Sequence, residues 1–119
     1  MKGLPPTLRK KRRYIAFKII PEKKTKITTR QIYNEIQQTI QSLYGEWYGC
    51  VGLKLEVFYE ENSEGILRCS RDKVDATLAA LTLITEVENT KVAIKTLGIS
   101  GTIKGCKRFL NGKEINTER

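Results

Sequence analysis

An α+β fold is predicted: a ferredoxin-like split-βαβ sandwich, with a four-stranded antiparallel sheet, two main helices on one face and a further C-terminal helix. Three observations predict it. Apolar residues alternate with period two in four short stretches and recur at helical spacing in longer ones. The order strand, helix, strand, strand, helix, strand makes two βαβ-like halves joined by a hairpin. At 119 residues the chain is one domain, 1–119, large enough to bury a core without metal or disulfide staples.

Taken in order, Leu4-Pro5-Pro6-Thr7-Leu8 opens an extended leader over residues 1–13, because two prolines fix φ and forbid helix. Leu4 and Leu8 are candidates to enter an apolar groove on a protein partner. Residues 14–20 read as the first strand, with Ile15, Phe17 and Ile19 on one face and Tyr14, Ala16 and Lys18 on the other. Pro21 ends it, and 22–26 is a polar loop. Thr28 and Gln31 have capping-box spacing. Ile32, Tyr33, Ile36, Ile40, Leu43 and Tyr44 follow at helical spacing until Gly45 closes the helix. Residues 45–52 form an aromatic, glycine-rich connector. Its Trp47 and Tyr48 either pack over the core edge or present a contact patch to another protein, where such side chains are typical anchors.

Residues 53–59 alternate, Leu53, Leu55, Val57 and Tyr59 against Lys54, Glu56 and Phe58. Residues 60–65 read as a hairpin loop and 66–70 as the third strand. Ser70 or Asp72 starts a second helix with Val74, Leu78 and Leu81 on one face, fraying near Thr85. After a loop at 86–90, residues 91–97 make the fourth strand. Gly98, Gly101 and Gly105 are read as turn-formers, and 102–110 as a short basic helix with Ile103, Cys106 and Leu110 inward and Lys104, Lys107 and Arg108 outward. Residues 111–119 are polar and expected to be a loose tail.

Charge is strongly lopsided. The first 30 residues hold eleven Lys or Arg against the single acid Glu22, a formal +10, while the other 89 hold eleven basic and twelve acidic side chains. The densest run is Arg9, Lys10, Lys11, Arg12 and Arg13, leading into Tyr14. Adjacent cations repel one another, and a polyanion such as a nucleic-acid backbone relieves that repulsion. A merely solvated basic tail is the alternative. Arg68 and Arg71, near a helix start, and Lys104, Lys107 and Arg108 are further candidates for phosphate.

Other classes of chemistry are poorly served. The chain has no His, which removes the commonest general acid/base and metal ligand together. Cys50, Cys69 and Cys106 are odd in number and lack CxxC spacing, so neither a disulfide framework nor a zinc knuckle is suggested. Glu60, Glu61 and Glu64 fall in a predicted loop with nothing apolar to raise a pKa. No catalytic residue and no metal ligand is therefore assigned. The glycines at 98–105 match neither GxGxxG nor GxxxxGK[ST]. No apolar run of 18 residues is present, so no membrane helix is expected. The apolar stretch at 14–20 is too short and polar for a signal peptide, and a cytoplasmic location follows by default. RNA-recognition motifs share the predicted topology and stack bases on aromatics of the first and third strands. Here the first strand offers Tyr14 and the third none, so contacts to phosphate and sensitivity to RNA shape are expected instead.

Leu4-Pro5-Pro6-Thr7-Leu8-Arg9 with the cations up to Tyr14, then Gly65-Ile66-Leu67-Arg68-Cys69-Ser70-Arg71, then Thr96-Leu97-Gly98-Ile99-Ser100-Gly101-Thr102-Ile103 stand in that order. Together they resemble the archaeal ribonuclease P protein component 2 family, relatives of the eukaryotic Pop-five subunit. The resemblance spans nearly the whole chain; residues 22–26 and the tail from Gly112 stand apart from it. It implies an RNA-binding subunit of a ribonucleoprotein that removes the 5′ leader from precursor tRNA. It further implies that the ribonuclease P RNA performs the hydrolysis with Mg²⁺ at its own active site, with no cofactor bound by this chain. The implied partners are that RNA, the TIM-barrel-like protein component 3, precursor tRNA through the holoenzyme, and a second copy of the chain in a heterotetramer. Read from the residues without the resemblance, two alternatives stay open: another basic module of a ribosomal or other ribonucleoprotein, and a free-standing enzyme on a ferredoxin-like scaffold.

Overall fold

The computed structural model describes residues 11–45 and 53–110. Its elements are β1 (Arg12–Pro21), α1 (Thr29–Tyr44), β2 (Lys54–Tyr59), β3 (Glu64–Ser70), a 3₁₀ turn (Arg71–Lys73) leading into α2 (Val74–Leu83), β4 (Glu86–Val87), β5 (Thr90–Ser100) and α3 (Ile103–Lys107). The fold is α+β, but the antiparallel sheet has five strands rather than four, in the order β2-β3-β1-β5-β4. The extra strand replaces the loop expected at 86–90. Glu88 and Asn89 both take positive φ, 48° and 67°, the geometry of a tight two-residue hairpin turn, so Glu86 and Val87 fold back onto Lys91 and Thr90.

Local chemistry explains α1. Thr28 is extended and its hydroxyl accepts from the Gln31 amide, while the Gln31 side chain accepts from the Thr28 amide. That capping box, worth about 1 kcal/mol, sets the helix start. Gly45 ends the helix at φ 64°, and its N–H reaches the Gln41 carbonyl. Ile32, Ile36 and Ile40 form the buried stripe. They meet Ile15, Phe17 and Ile19 of β1 and Leu67 and Cys69 of β3 in the main core. The buried stripe of α2 is turned from the predicted one: Thr77, Ala80 and Leu81 are buried and Val74 and Leu78 only half so. Thr77 is tolerated there because its hydroxyl donates to the Lys73 carbonyl at 2.8 Å. The Tyr44 hydroxyl donates to the Ala76 carbonyl at 3.0 Å and ties the two helices together.

Two bulges overturn parts of the predicted alternation. Leu55 pairs with Leu67, but Val57 pairs with Ile66, so Glu56 is an extra residue on β2. Beyond it the faces exchange. Phe58 turns into the main core, where its ring stacks on Phe17 at 6.2 Å, and Val57 and Tyr59 pass to the opposite face. The expectation that Leu53, Leu55, Val57 and Tyr59 share one face is thus corrected. On β5, Ala16 pairs with Gly98 and Phe17 with Thr96, leaving Leu97 as the extra residue. The strand runs on to Ser100, so Gly98 lies within a strand and not in a turn. Its need for hydrogen is steric: a Cβ there would stand 2.5 Å from the Phe109 ring.

The third strand also begins early. Glu64 and Gly65, expected in a loop, belong to β3, and Glu64 is fully buried, with Lys18 across from it at 3.8 Å.

The far face of the sheet is not bare. After β5 the chain turns, Thr102 caps α3 by accepting from the Gly105 amide at 3.0 Å, and α3 lies on that face. Cys106 and Leu110, both fully buried, pack with Ala16 and Ile66 in a second core, which Tyr14, Val57, Tyr59, Leu97 and Ile103 flank. The predicted inward set Ile103, Cys106 and Leu110 is the observed one. The helix itself is shorter than predicted, ending at Lys107.

Candidate nucleic-acid interface

β1 starts at Arg12, two residues before the predicted strand, and this draws part of the cation run into the sheet. Arg12 pairs with Ser70 and Arg13 with Cys69. The Arg71 amide donates to the Lys11 carbonyl at 2.8 Å. Lys11, Arg12, Arg13 and Arg71 therefore meet at one end of the sheet, although 57 or more residues separate Arg71 from the other three. Arg13 donates to the Arg12 carbonyl at 2.8 Å, and its Nη1 lies 3.7 Å from where a Cβ on Gly101 would stand. It thus reaches toward the corner from which α3 departs. Lys11, Arg12 and Arg71 are exposed and make no ion pair among the described residues.

α3 is anchored to the same region. The Cys106 thiol donates to the Tyr14 carbonyl at 3.2 Å, and Ser100 pairs with Tyr14 across the ladder. Lys104 and Arg108 face outward and are exposed, and Lys107 is half-exposed. Burial pushes the Cys106 thiol up to about 11, with a backbone hydrogen bond from Ser100 working in the opposite direction. At neutral pH it is a protonated packing residue and no nucleophile.

The two arginines of β3 and its corner, alike in sequence, differ in place. Arg68 stands between Tyr14 and Lys54 in the register. Its guanidinium meets the Glu56 carboxylate at 3.5 Å, with side-chain exposures of 20% and 15%. The bulge on β2 brings Glu56 there. Arg71 is exposed beside Asp72, whose carboxylate is 3.5 Å from Lys73. Tyr14 is half-buried against the second core, so the sheet face around it is not an open stacking platform.

Of the sequence candidates, Lys11, Arg12, Arg13, Tyr14, Arg68, Arg71, Lys104, Lys107 and Arg108 are placed on this end and face. Arg9, Lys10, Leu4, Leu8, Trp47 and Tyr48 lie outside the described residues. Lys54 was not a candidate, yet the register sets it beside Arg68. The sequence signal for it was a cation on the polar parity of a strand, too common to single out. Among the described residues no group of three or more Cys, Asp or Glu side chains is close enough to hold a metal ion, and no helix is long and apolar enough to cross a membrane.

The model of the Rpp14/Pop5 family matches residues 13–111. Ribonuclease P protein component 2 of Archaeoglobus fulgidus is 49% identical over 108 residues, covering 91% of this chain and 95% of that protein. The proteins of that name from Methanocaldococcus jannaschii and Pyrococcus furiosus are 43% and 42% identical, covering 96% and 90% of this chain and 84% and 88% of theirs. Among solved structures, a chain of the yeast ribonuclease MRP cryo-EM structure superimposes with a TM-score of 0.64 at 10% identity, covering 79% of this chain and 76% of that one, which is a likeness of fold.

Proposed function

This chain belongs to the Rpp14/Pop5 family, and from that premise we propose that it works as the RNA-binding protein subunit of ribonuclease P, supporting the catalytic RNA in removing the 5′ leader from precursor tRNA. The observation that carries the RNA-binding part is the convergence of Lys11, Arg12, Arg13 and Arg71 at one end of the sheet. The four long strands with α1 and α2 make the split-βαβ scaffold that holds them there.

In this reading Arg9 and Lys10 also contact RNA phosphate, and Lys104, Lys107 and Arg108 of the α3 region carry the patch over the second face. These side chains neutralise closely spaced phosphates, which lowers the repulsion that a compact RNA must overcome. Hydrolysis belongs to the RNA, and Mg²⁺ supplies its Lewis acidity there. Among the described residues no group of three or more Cys, Asp or Glu side chains is suited to the ion. Protein component 3 and a second copy of the chain are the protein partners in this reading, with Leu4, Leu8, Trp47 and Tyr48 as the contacts. A cytoplasmic site of action goes with it.

The test is reconstitution. Purified protein alone should leave precursor tRNA intact. Cleavage by ribonuclease P RNA at limiting Mg²⁺ should rise when this chain and component 3 are added together. Cleavage by the protein with no RNA present, or no effect on the RNA-driven rate, would overturn the proposal.

A further inference from the structure

An open groove of about 440 Å³ lies between the first turn of α1 and the edge strand β2, lined by Thr29, Arg30, Tyr33, Lys54 and Leu55. We propose that it takes one unpaired nucleotide of RNA, the base against Tyr33 and Leu55 and the phosphate between Arg30 and Lys54. This rests on the RNA-binding reading above and adds a second contact on the other edge of the sheet.

The chemistry of the lining selects the occupant. Its floor is mostly apolar and includes an aromatic ring, which suits a flat base. Arg30 and Lys54 are both exposed and make no ion pair among the described residues, whereas Lys18, Arg68 and Lys73 each have a carboxylate. The end of α1 is not what attracts the anion. Its Gln31 amide is taken by Thr28, and its Thr29 amide and hydroxyl by Glu60 at 2.8 and 3.0 Å. These two bonds hold the Glu60 carboxyl below its usual range, so it stays a capping carboxylate at the border of the groove. The two cationic side chains supply the positive charge.

Placement supports the same occupant. Lys54 pairs with Arg68 and Arg68 with Tyr14, so one row of residues runs across three strands from the groove to the basic end of the sheet. A single strand held at that end by Arg12 and Arg71 reaches the groove around the β2 edge at Lys54, since Tyr14 packs against the second core and Leu55 against the main one. An added peptide strand is disfavoured, since a lysine on an edge strand is a common guard against strand pairing.

The test uses the full-length protein, a labelled oligouridine and a blunt RNA duplex, with anisotropy read over a salt series. Tyr33→Ala should weaken oligouridine binding about tenfold while duplex binding holds, and Tyr33→Phe should restore it. The double variant Arg30→Gln with Lys54→Gln should reduce the log–log salt slope for oligouridine by about 0.7, the loss of the one phosphate contact they share. These two positions are exposed, so this variant carries the test if Tyr33→Ala fails to fold. Unchanged affinity and slope in folded variants would overturn the groove. The wider RNA reading would still stand if Gln at Arg9 through Arg13 weakened binding. Loss of self-association on Tyr33→Ala, with oligouridine binding intact, would assign the groove to a second copy and overturn the proposal. If the unaltered protein bound neither RNA, both readings would fall together.

Discussion

Arg68 and Arg71 are three residues apart, yet the structure sets one beside a carboxylate and leaves the other exposed, and replacing each with Gln should separate their effects on folding and on RNA binding. Arg71 is exposed and unpaired among the described residues. Removing it should cost one phosphate contact, lowering the log–log salt slope for duplex RNA by about 0.9. Stability should move by no more than about 0.5 kcal/mol. Arg68 is different: its partner Glu56 lies 3.5 Å away with a side chain only 15% exposed. Arg68→Gln strands a partly buried carboxylate, at a cost of about 1–3 kcal/mol. For a domain of this size that is a fall in Tm of about 4–12 °C, with little change in salt slope. Glu56→Gln should also destabilise the sheet, but it removes a negative charge from beside Arg68, so RNA binding should tighten modestly. Urea unfolding followed by circular dichroism, with RNA anisotropy over a salt series, reads both quantities. If Arg68→Gln cut the slope by a full contact while melting with the parent protein, the assignment of its charge to the fold would be refuted.

Two further outcomes follow from the packing. Gly65→Ala places a Cβ 2.8 Å from the Val57 carbonyl oxygen, 2.9 Å from Phe58 and 3.0 Å from Phe17. Because the first of these is backbone held in the β2–β3 ladder, it should cost about 1–3 kcal/mol in urea unfolding. Gly98→Ala, opposed by the half-exposed Phe109 ring that can swing aside, should cost less. The Cys106 thiol, raised by burial to about 11 from an ordinary 9.0, favours the folded state while protonated. Its contribution is full below about pH 9 and is lost as pH rises toward 11, so unfolding measured at pH 8 to 10.5 should show a fall in stability that Cys106→Ala reduces.

Some of the candidate interface was legible in the chain. The cation run was plain. That Arg12 and Arg13 begin a strand was not, because charged residues carry no strand signal and only pairing with Ser70 and Cys69 orders them. Nor was the neutralisation of Arg68, which depends on a bulge that no spacing announces.

The sequence by itself determined whatever depends on neighbours along the chain. Thr28 and Gln31 cap α1, Ile32, Ile36 and Ile40 face one way, and Cys106 and Leu110 point inward, because helical spacing and capping act over a few residues. The order of the four long strands came with the succession of elements. Only the tertiary structure decided which partner residue stands opposite which. It moved Phe58 into the core, kept Gly98 in a strand, buried Glu64 and laid α3 across the second face of the sheet. Register is set by contacts between residues far apart in the chain, and one extra residue exchanges the two faces for everything beyond it.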